Sequence, residues 1–187
     1  MQVLAASQTR DKDALTTEGV SRVLKGLADA GFEYILCDAP AGLEKGAFVA
    51  MYFADRAVVV VNPDATSIRD SERILALLAA KSRRAESGDS VCKQLLLTRY
   101  AIEKVEHGEQ LSVTEVETIL GIPVIGVIPE SPEVPTSSHA GVPVILDPDS
   151  DAGVAYADAV ARLLGEDRPM RFTGSEKKGL LARMFGS

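Results

Sequence analysis

Three groups of polar side chains stand where apolar runs end, and each has the residue types for chemistry. The first is Tyr34-Ile35-Leu36-Cys37-Asp38-Ala39-Pro40-Ala41-Gly42, an apolar run that closes on a carboxylate and then turns through proline and glycine. A carboxylate there can hold Mg2+ through the ion's water shell, because Mg2+ dehydrates reluctantly. Gly42, with no side chain, lets a backbone N–H come close to a phosphate. The same residues serve equally as a strand end whose aspartate caps a turn. The second group is Val58-Val59-Val60-Val61-Asn62-Pro63-Asp64, followed by Thr66-Ser67-Ile68-Arg69-Asp70-Ser71-Glu72-Arg73. Thr66 or Ser67 suits a helix N-cap. The charges that follow fit a solvated face or a partner site. The third group comprises two further run ends, Leu97-Thr98-Arg99-Tyr100 and Gly126-Val127-Ile128-Pro129-Glu130. Arg99 has the chemistry to stack on a base or to hydrogen-bond it.

The C-terminal stretch offers a different chemistry. At 100° per residue, Leu180, Leu181, Met184 and Phe185 fall within an arc of about 140° on a helix. Arg183 lies opposite and Lys178 at the arc's edge, while Lys177 stands at the start, where a long side chain can snorkel. A bulky apolar face with a basic flank suits a helix lying in a membrane interface. A terminal helix packed on the domain is the plainer alternative.

These groups need a frame to bring them together, and the pattern supplies one. Short apolar runs predict strands at 3–6, 34–37, 57–61, 94–98 and 123–128, with a brief last one at 144–145. Amphipathic spacing predicts helices at 15–30, 46–54, 67–84, 112–120, 150–164 and 176–185. Gly31 stops the first helix, and Ser112 with Glu115 forms a capping box at the fourth. The run 57–61 is apolar on both faces, as in a buried parallel strand. The stretch 132–139 has no clear assignment. The expectation is an α/β fold with a doubly wound, mostly parallel sheet, organised as a body over 1–164, a linker over 165–175 and an amphipathic membrane-targeting helix over 176–187. In such sheets ligands sit outside the carboxyl ends of the strands, where Asp38, Thr98, Arg99, Pro129 and Glu130 all fall.

Composition narrows the function classes. Net charge is −7 over 187 residues. Residues 166–187 carry five basic side chains against three acidic, a balance of +2, so the rest holds 15 basic and 24 acidic groups, or −9. An acidic body lacks the basic footprint that nucleic acid requires, so no nucleic-acid partner is expected. The two cysteines form no CxxC pair and no Cys/His metal spacing. No apolar run approaches the roughly 20 residues of a membrane-spanning helix, and charges at 10–13 follow too soon for a secretory signal. The body is therefore expected in the cytoplasm.

Several stretches together resemble the MinD/ParA family of P-loop ATPases along practically the whole chain. They include Ala6-Ser7-Gln8-Thr9-Arg10-Asp11-Lys12-Asp13-Ala14-Leu15, Cys37-Asp38-Ala39-Pro40-Ala41-Gly42, Asn62-Pro63 and Arg69-Asp70-Ser71. Leu95-Leu96-Leu97-Thr98-Arg99-Tyr100, Gly126-Val127-Ile128-Pro129-Glu130, Pro143-Val144-Ile145-Leu146-Asp147 and Glu176-Lys177-Lys178-Gly179-Leu180 add to them. The resemblance implies a P-loop NTPase-like fold and an ATPase that forms an ATP-dependent homodimer with Mg2+. It further implies recruitment of the septum inhibitor MinC, a response to MinE, and peripheral binding to anionic lipids on the inner face of the plasma membrane. Asp38 then holds Mg2+ through water, and Gly42 belongs to the second switch. Thr98, Arg99, Pro129 and Glu130 match positions near the adenine, and Arg69, Asp70 and Glu72 the helix used by MinC and MinE. Lys177, Lys178, Leu180, Leu181, Arg183, Met184 and Phe185 match the lipid-binding segment.

The chain contains no GxxxxGKS/T loop and no lysine-rich variant of it. The family begins with a strand and such a loop, so Met1 is expected to be an internal position, and these 187 residues alone are expected not to hydrolyse ATP. Two other readings stay open. A ParA-type partition ATPase is disfavoured by the acidic body and the amphipathic tail. A non-catalytic module that binds membrane or partner without turnover is favoured by the missing loop.

Overall fold

The computed structural model describes residues 2–5, 16–39 and 45–174. They fall into two compact units, Met1–Ala57 with Arg73–Cys92, and Val58–Glu72 with Lys93–Ser187. The fold is α/β, a parallel sheet with flanking helices.

In the first unit, helix α1 (Thr17–Asp29) starts where the Thr16 hydroxyl accepts the Gly19 N–H at 3.1 Å. It stops at Gly31, whose φ of 87° a side chain would resist. Helix α2 (Lys45–Tyr52) buries Ala47 and Val49. Tyr52 stacks edge-on against Phe53 at 4.9 Å and donates its hydroxyl to the Glu86 carboxylate at 2.6 Å. The runs 3–5 and 34–37, expected as strands, are not strands. A ladder needs a neighbour to exchange hydrogen bonds with, and none pairs with either run among the described residues. Tyr34 stays 68% exposed and Leu36 88%.

Among the described residues three strands form the sheet, in the order β1 (Arg56–Val61), β2 (Cys92–Tyr100), β3 (Val124–Pro129). β2 and β3 run parallel, with Leu95 opposite Val124 and Tyr100 opposite Pro129. β3 is buried from Val124 through Ile128. β1 departs from the expectation of two buried faces. Val59 and Val61 are buried, but Val60 is 60% exposed. β1 ends the strand order, and Val58 on the same face is 38% exposed.

The helix predicted over 67–84 is two helices. α3 (Ala65–Lys81) ends before Ser82, and α4 (Arg83–Glu86) begins there, with the buried Ser82 hydroxyl accepting the Ala85 N–H at 3.1 Å. α5 (Ile102–Glu106) follows β2. α6 (Val113–Leu120) carries the expected capping box and closes on Gly121 in the left-handed region. The unassigned stretch is helix α7 (Glu133–His139). The brief strand expected at 144–145 is a 3-10 turn (Val144–Leu146), because Val144 turns inward to pack against the last helix rather than pairing with a strand.

That last helix, α8 (Asp151–Leu163), is capped by Ser150 and packs on β3 through small residues. Ile128, Val144, Ala152 and Ala155 form the core there, with Leu96, Val134, Tyr156 and Phe172 around them. Residues 166–174 then lie along the second unit. Arg162 donates to the carbonyls of Arg168 (3.0 Å), Pro169 (2.7 Å) and Ile125. Arg171 pairs with the buried Asp158 at 2.9 Å, and the Tyr100 hydroxyl donates to Thr173 O at 3.3 Å. One guanidinium thus ties the stretch to β3. Arg162→Ala is expected to cost about 1–3 kcal/mol, since it strips donors from three carbonyls, one of them half-buried. Urea denaturation of the full chain measures this; a midpoint equal to the parent's would show that water replaces the guanidinium without loss.

Candidate functional site

The carboxyl ends of all three strands carry polar groups, and in the second unit these are bonded to one another. β1 runs out into Asn62, whose side-chain oxygen accepts the Thr98 hydroxyl from β2 at 2.9 Å. The Asn62 N–H donates to the Ser67 hydroxyl at 3.0 Å, and its carbonyl accepts the Asp64 N–H at 2.8 Å. Pro63 is buried, and its carbonyl accepts the Leu111 N–H at 3.0 Å.

Arg99, next along β2, is one of two described non-glycine residues at positive φ (56°). A residue with a Cβ rests there only when its surroundings hold it. Gln110 does so: its amide N–H donates to Arg99 O at 3.0 Å while its oxygen accepts the Ala101 N–H at 2.9 Å. The turn breaks the β2–β3 register between Leu97 and Tyr100 and leaves Arg99 exposed.

From β3, Pro129 is half-buried and Glu130 exposed. The Glu130 N–H donates to Tyr100 O at 2.9 Å, and its carboxylate meets Lys104 at 2.6 Å. The Lys104 ammonium holds the Glu130 carboxyl below the usual carboxylate range, with a smaller pull from Arg99. Burial raises the Tyr100 phenol. The edge therefore presents a hydroxyl, a guanidinium, a carboxylate and a proline ring within one hydrogen-bonded frame. Those groups suit a flat heterocycle with polar edges.

Helix α3 leaves the same frame. Its N-cap is neither Thr66 nor Ser67 but Asp64, whose carboxylate accepts the N–H groups of Thr66 (3.0 Å) and Ser67 (2.9 Å). A carboxylate also favours the positive end of the helix dipole. Ser67 is thereby free to hold Asn62. Ile68 and Ser71 turn inward, with Ser71 donating to Ser67 O at 2.8 Å, and Arg69, Asp70 and Glu72 are exposed on the other side.

Thr98, Arg99, Pro129 and Glu130 are thus brought to one edge, and Arg69, Asp70 and Glu72 to one helix beside it. Asp38 belongs to the first unit, exposed in the run 34–39, which is neither helix nor strand. Gly42, Lys177, Lys178, Leu180, Leu181, Arg183, Met184 and Phe185 lie outside the described residues. Asn62 stands in the second group of the sequence but without a role assigned to it, and Lys104 and Gln110 are not singled out there. Asn62 had a signal, a polar residue ending an apolar strand before proline, in the same position as Asp38 and Thr98. Lys104 and Gln110 sit in a polar connection whose folding back onto β2 no local pattern announces.

No family model matches the chain. The septum site-determining protein MinD of Escherichia coli strain K12 is 57% identical over 187 residues, covering 100% of this chain and 69% of that protein. A solved MinC:MinD cell division protein complex of Aquifex aeolicus matches with TM-score 0.76 at 36% identity, over 86% of this chain and 64% of that one. The chain thus spans a little under two thirds of the length of that solved relative. A septum site-determining protein MinD of Pyrococcus horikoshii, complexed with Mg-ADP, shares the fold with TM-score 0.64 over 80% of this chain, at 24% identity. Identity above half, running the length of the chain through the strand ends and α3, decides the family: the chain belongs to the MinD family of septum site-determining proteins.

Proposed function

We propose that this chain works in division-septum placement as part of a membrane-associated ATPase that recruits MinC and responds to MinE. The observation that carries this reading is the bonded edge of the second unit, where Thr98, Arg99, Pro129 and Glu130 meet and from which α3 departs. The edge is the base side of an ATP site. Mg2+ supplies charge neutralisation at the phosphates when bound. Asp38 would hold the ion through water, and an exposed carboxylate suits an ion that keeps most of its waters. Gly42 would offer a backbone N–H to the γ-phosphate, and ATP would join two copies of the protein. The C-terminal segment carrying Lys177, Lys178, Leu180, Leu181, Arg183, Met184 and Phe185 holds that dimer to anionic lipid on the inner face of the plasma membrane. The solved MinC:MinD complex of Aquifex aeolicus supports MinC as the partner, and Mg-ADP in a MinD of the same fold accords with a nucleotide here.

The exposed charges of α3 are the partner surface, and Asp64, Ser67 and Asn62 fix that helix to the base edge. MinC docking there depends on charge complementarity. Arg69→Glu and Glu72→Arg are each expected to weaken MinC binding at least about tenfold while moving stability by no more than about 0.5 kcal/mol, as exposed substitutions do. Titration calorimetry with MinC, beside urea melts of the same variants, checks both halves. Parent-like affinity in both variants would remove α3 from the interface.

A further inference from the structure

We propose that Asn62 sets base specificity at this edge. It commits the proton of the Thr98 hydroxyl, so that Thr98 offers a ligand only acceptor lone pairs, reads the exocyclic amino group of adenine and turns away the O6 of guanine. The inference rests on the base-edge reading above and assigns its selectivity to a residue that need not touch the base.

A hydroxyl has one proton and two acceptor lone pairs. A free hydroxyl rotates to suit either kind of partner and so discriminates little. The Thr98 hydroxyl is not free: its proton points to the Asn62 side-chain oxygen at 2.9 Å. The Asn62 backbone in turn has little freedom. Its N–H is held by the Ser67 hydroxyl at 3.0 Å, and its carbonyl by the Asp64 N–H at 2.8 Å. Ser67 is seated by its own N–H on the Asp64 carboxylate at 2.9 Å and by the Ser71 hydroxyl on its carbonyl at 2.8 Å. Pro63 is pinned through its carbonyl by the Leu111 N–H. The bonds run unbroken from the first turns of α3 to Thr98, so turning the hydroxyl toward a ligand means breaking the bond to Asn62.

Adenine presents an amino donor where guanine presents an oxygen acceptor. With its proton committed, Thr98 meets adenine as acceptor to donor and guanine as lone pair to lone pair. Accepting guanine requires losing the Asn62 bond or leaving O6 unpaired. Mismatches of that kind weaken binding roughly tenfold to hundredfold.

Equilibrium dialysis of the full chain against labelled ADP and GDP gives the ratio of the two affinities. The parent is expected to favour ADP by at least about tenfold. Asn62→Ala frees the proton and is expected to bring the ratio to within about threefold of unity, mainly by gaining GDP. Asn62→Asp still accepts the proton, and Thr98→Ser still carries one, so both keep the parent's preference. Thr98→Val loses ADP affinity without gaining GDP. A purely structural role would lower both nucleotides together and leave the ratio in place. Should Asn62→Ala fail to fold, Asn62→Asp and Thr98→Val decide on their own. An unchanged ratio in Asn62→Ala, or a ratio lost in Asn62→Asp, overturns the assignment to Asn62 while leaving the base edge standing. A parent that binds neither nucleotide overturns the base-edge reading, and this inference with it.

Discussion

Phe185→Glu is expected to leave the full chain in the supernatant of anionic vesicles that sediment the parent. Fully burying a bulky apolar side chain contributes roughly 1.5–3 kcal/mol, and the segment offers Leu180, Leu181, Met184 and Phe185. Against this stands about 1–2 kcal/mol of backbone entropy per ordered residue. The margin is therefore narrow, and one buried charge reverses it. Lys178→Glu or Arg183→Glu is expected to weaken binding without abolishing it, because each cation near anionic lipid contributes about 1 kcal/mol. That contribution fades with salt as screening shortens to about 8 Å at physiological ionic strength. Joining two copies through a coiled coil is expected to raise affinity steeply, since the second segment then binds at high effective concentration. Co-sedimentation of the full chain and of the dimer fusion measures all of this. Phe185→Glu binding as well as the parent, or a dimer fusion that stays in solution, would contradict a lipid-facing role.

Gly153→Ala is expected to destabilise the full chain by about 2–3 kcal/mol, although alanine is the better helix former. In an open helix the exchange gains roughly 1 kcal/mol. At Gly153 a Cβ would stand 2.5 Å from Val144 O and would also meet Asp147 O. These are backbone atoms of the 3-10 turn and the loop behind it, so the whole segment must shift, and overpacking of that kind typically costs about 1–3 kcal/mol or more. Gly126→Ala meets the same obstacle from the sheet side, with Ala159 Cβ at 2.6 Å and Leu96 Cδ1 at 2.8 Å. Leu96 can turn aside, but Ala159 sits on the backbone of α8. Gly26 in α1 is the control: nothing lies within 4 Å of its Cβ position, so Gly26→Ala is expected to stabilise by about 0.5–1 kcal/mol. Urea melts of the three variants give the signs. Gly153→Ala stabilising like Gly26→Ala would show that α8 does not press on the turn.

How much of this was legible in the residues depended on how local each signal was. Ser112 with Glu115, Gly31 after α1 and Ser150 before α8 are contained within a few residues, and their helices begin or end as expected. Of the apolar positions that spacing places inward on α3, Ile68 and Leu78 are buried, whereas Ile74, Leu75 and Leu77 are half-buried. The helix predicted over 67–84 runs past the true end of α3 because Ser82 looks like any exposed serine in sequence, whereas it is buried and caps α4. The 144–145 run has the β-branched composition of a strand, but strand formation depends on a partner that composition cannot supply. The same holds for 34–37, whose exposed Leu36 marks a run apolar enough for a sheet and unpaired among the described residues.

The site divides along the same line. Thr98, Arg99, Pro129 and Glu130 were legible because strand ends in a parallel sheet converge by topology. What holds them was not. Gln110 reaches Arg99 across eleven positions, and Thr98 reaches Asn62 across thirty-six. Asp64 displaced two better-placed hydroxyls as the cap of α3 because it satisfies two N–H groups at once, leaving Ser67 for Asn62.

The most direct test of a nucleotide edge in the second unit is protein-observed NMR of the full chain titrated with Mg-ADP. The expected result is saturable amide shifts at Asn62, Thr98, Arg99 and Glu130. Saturable shifts that spare all four residues, or no shifts at all, would contradict it.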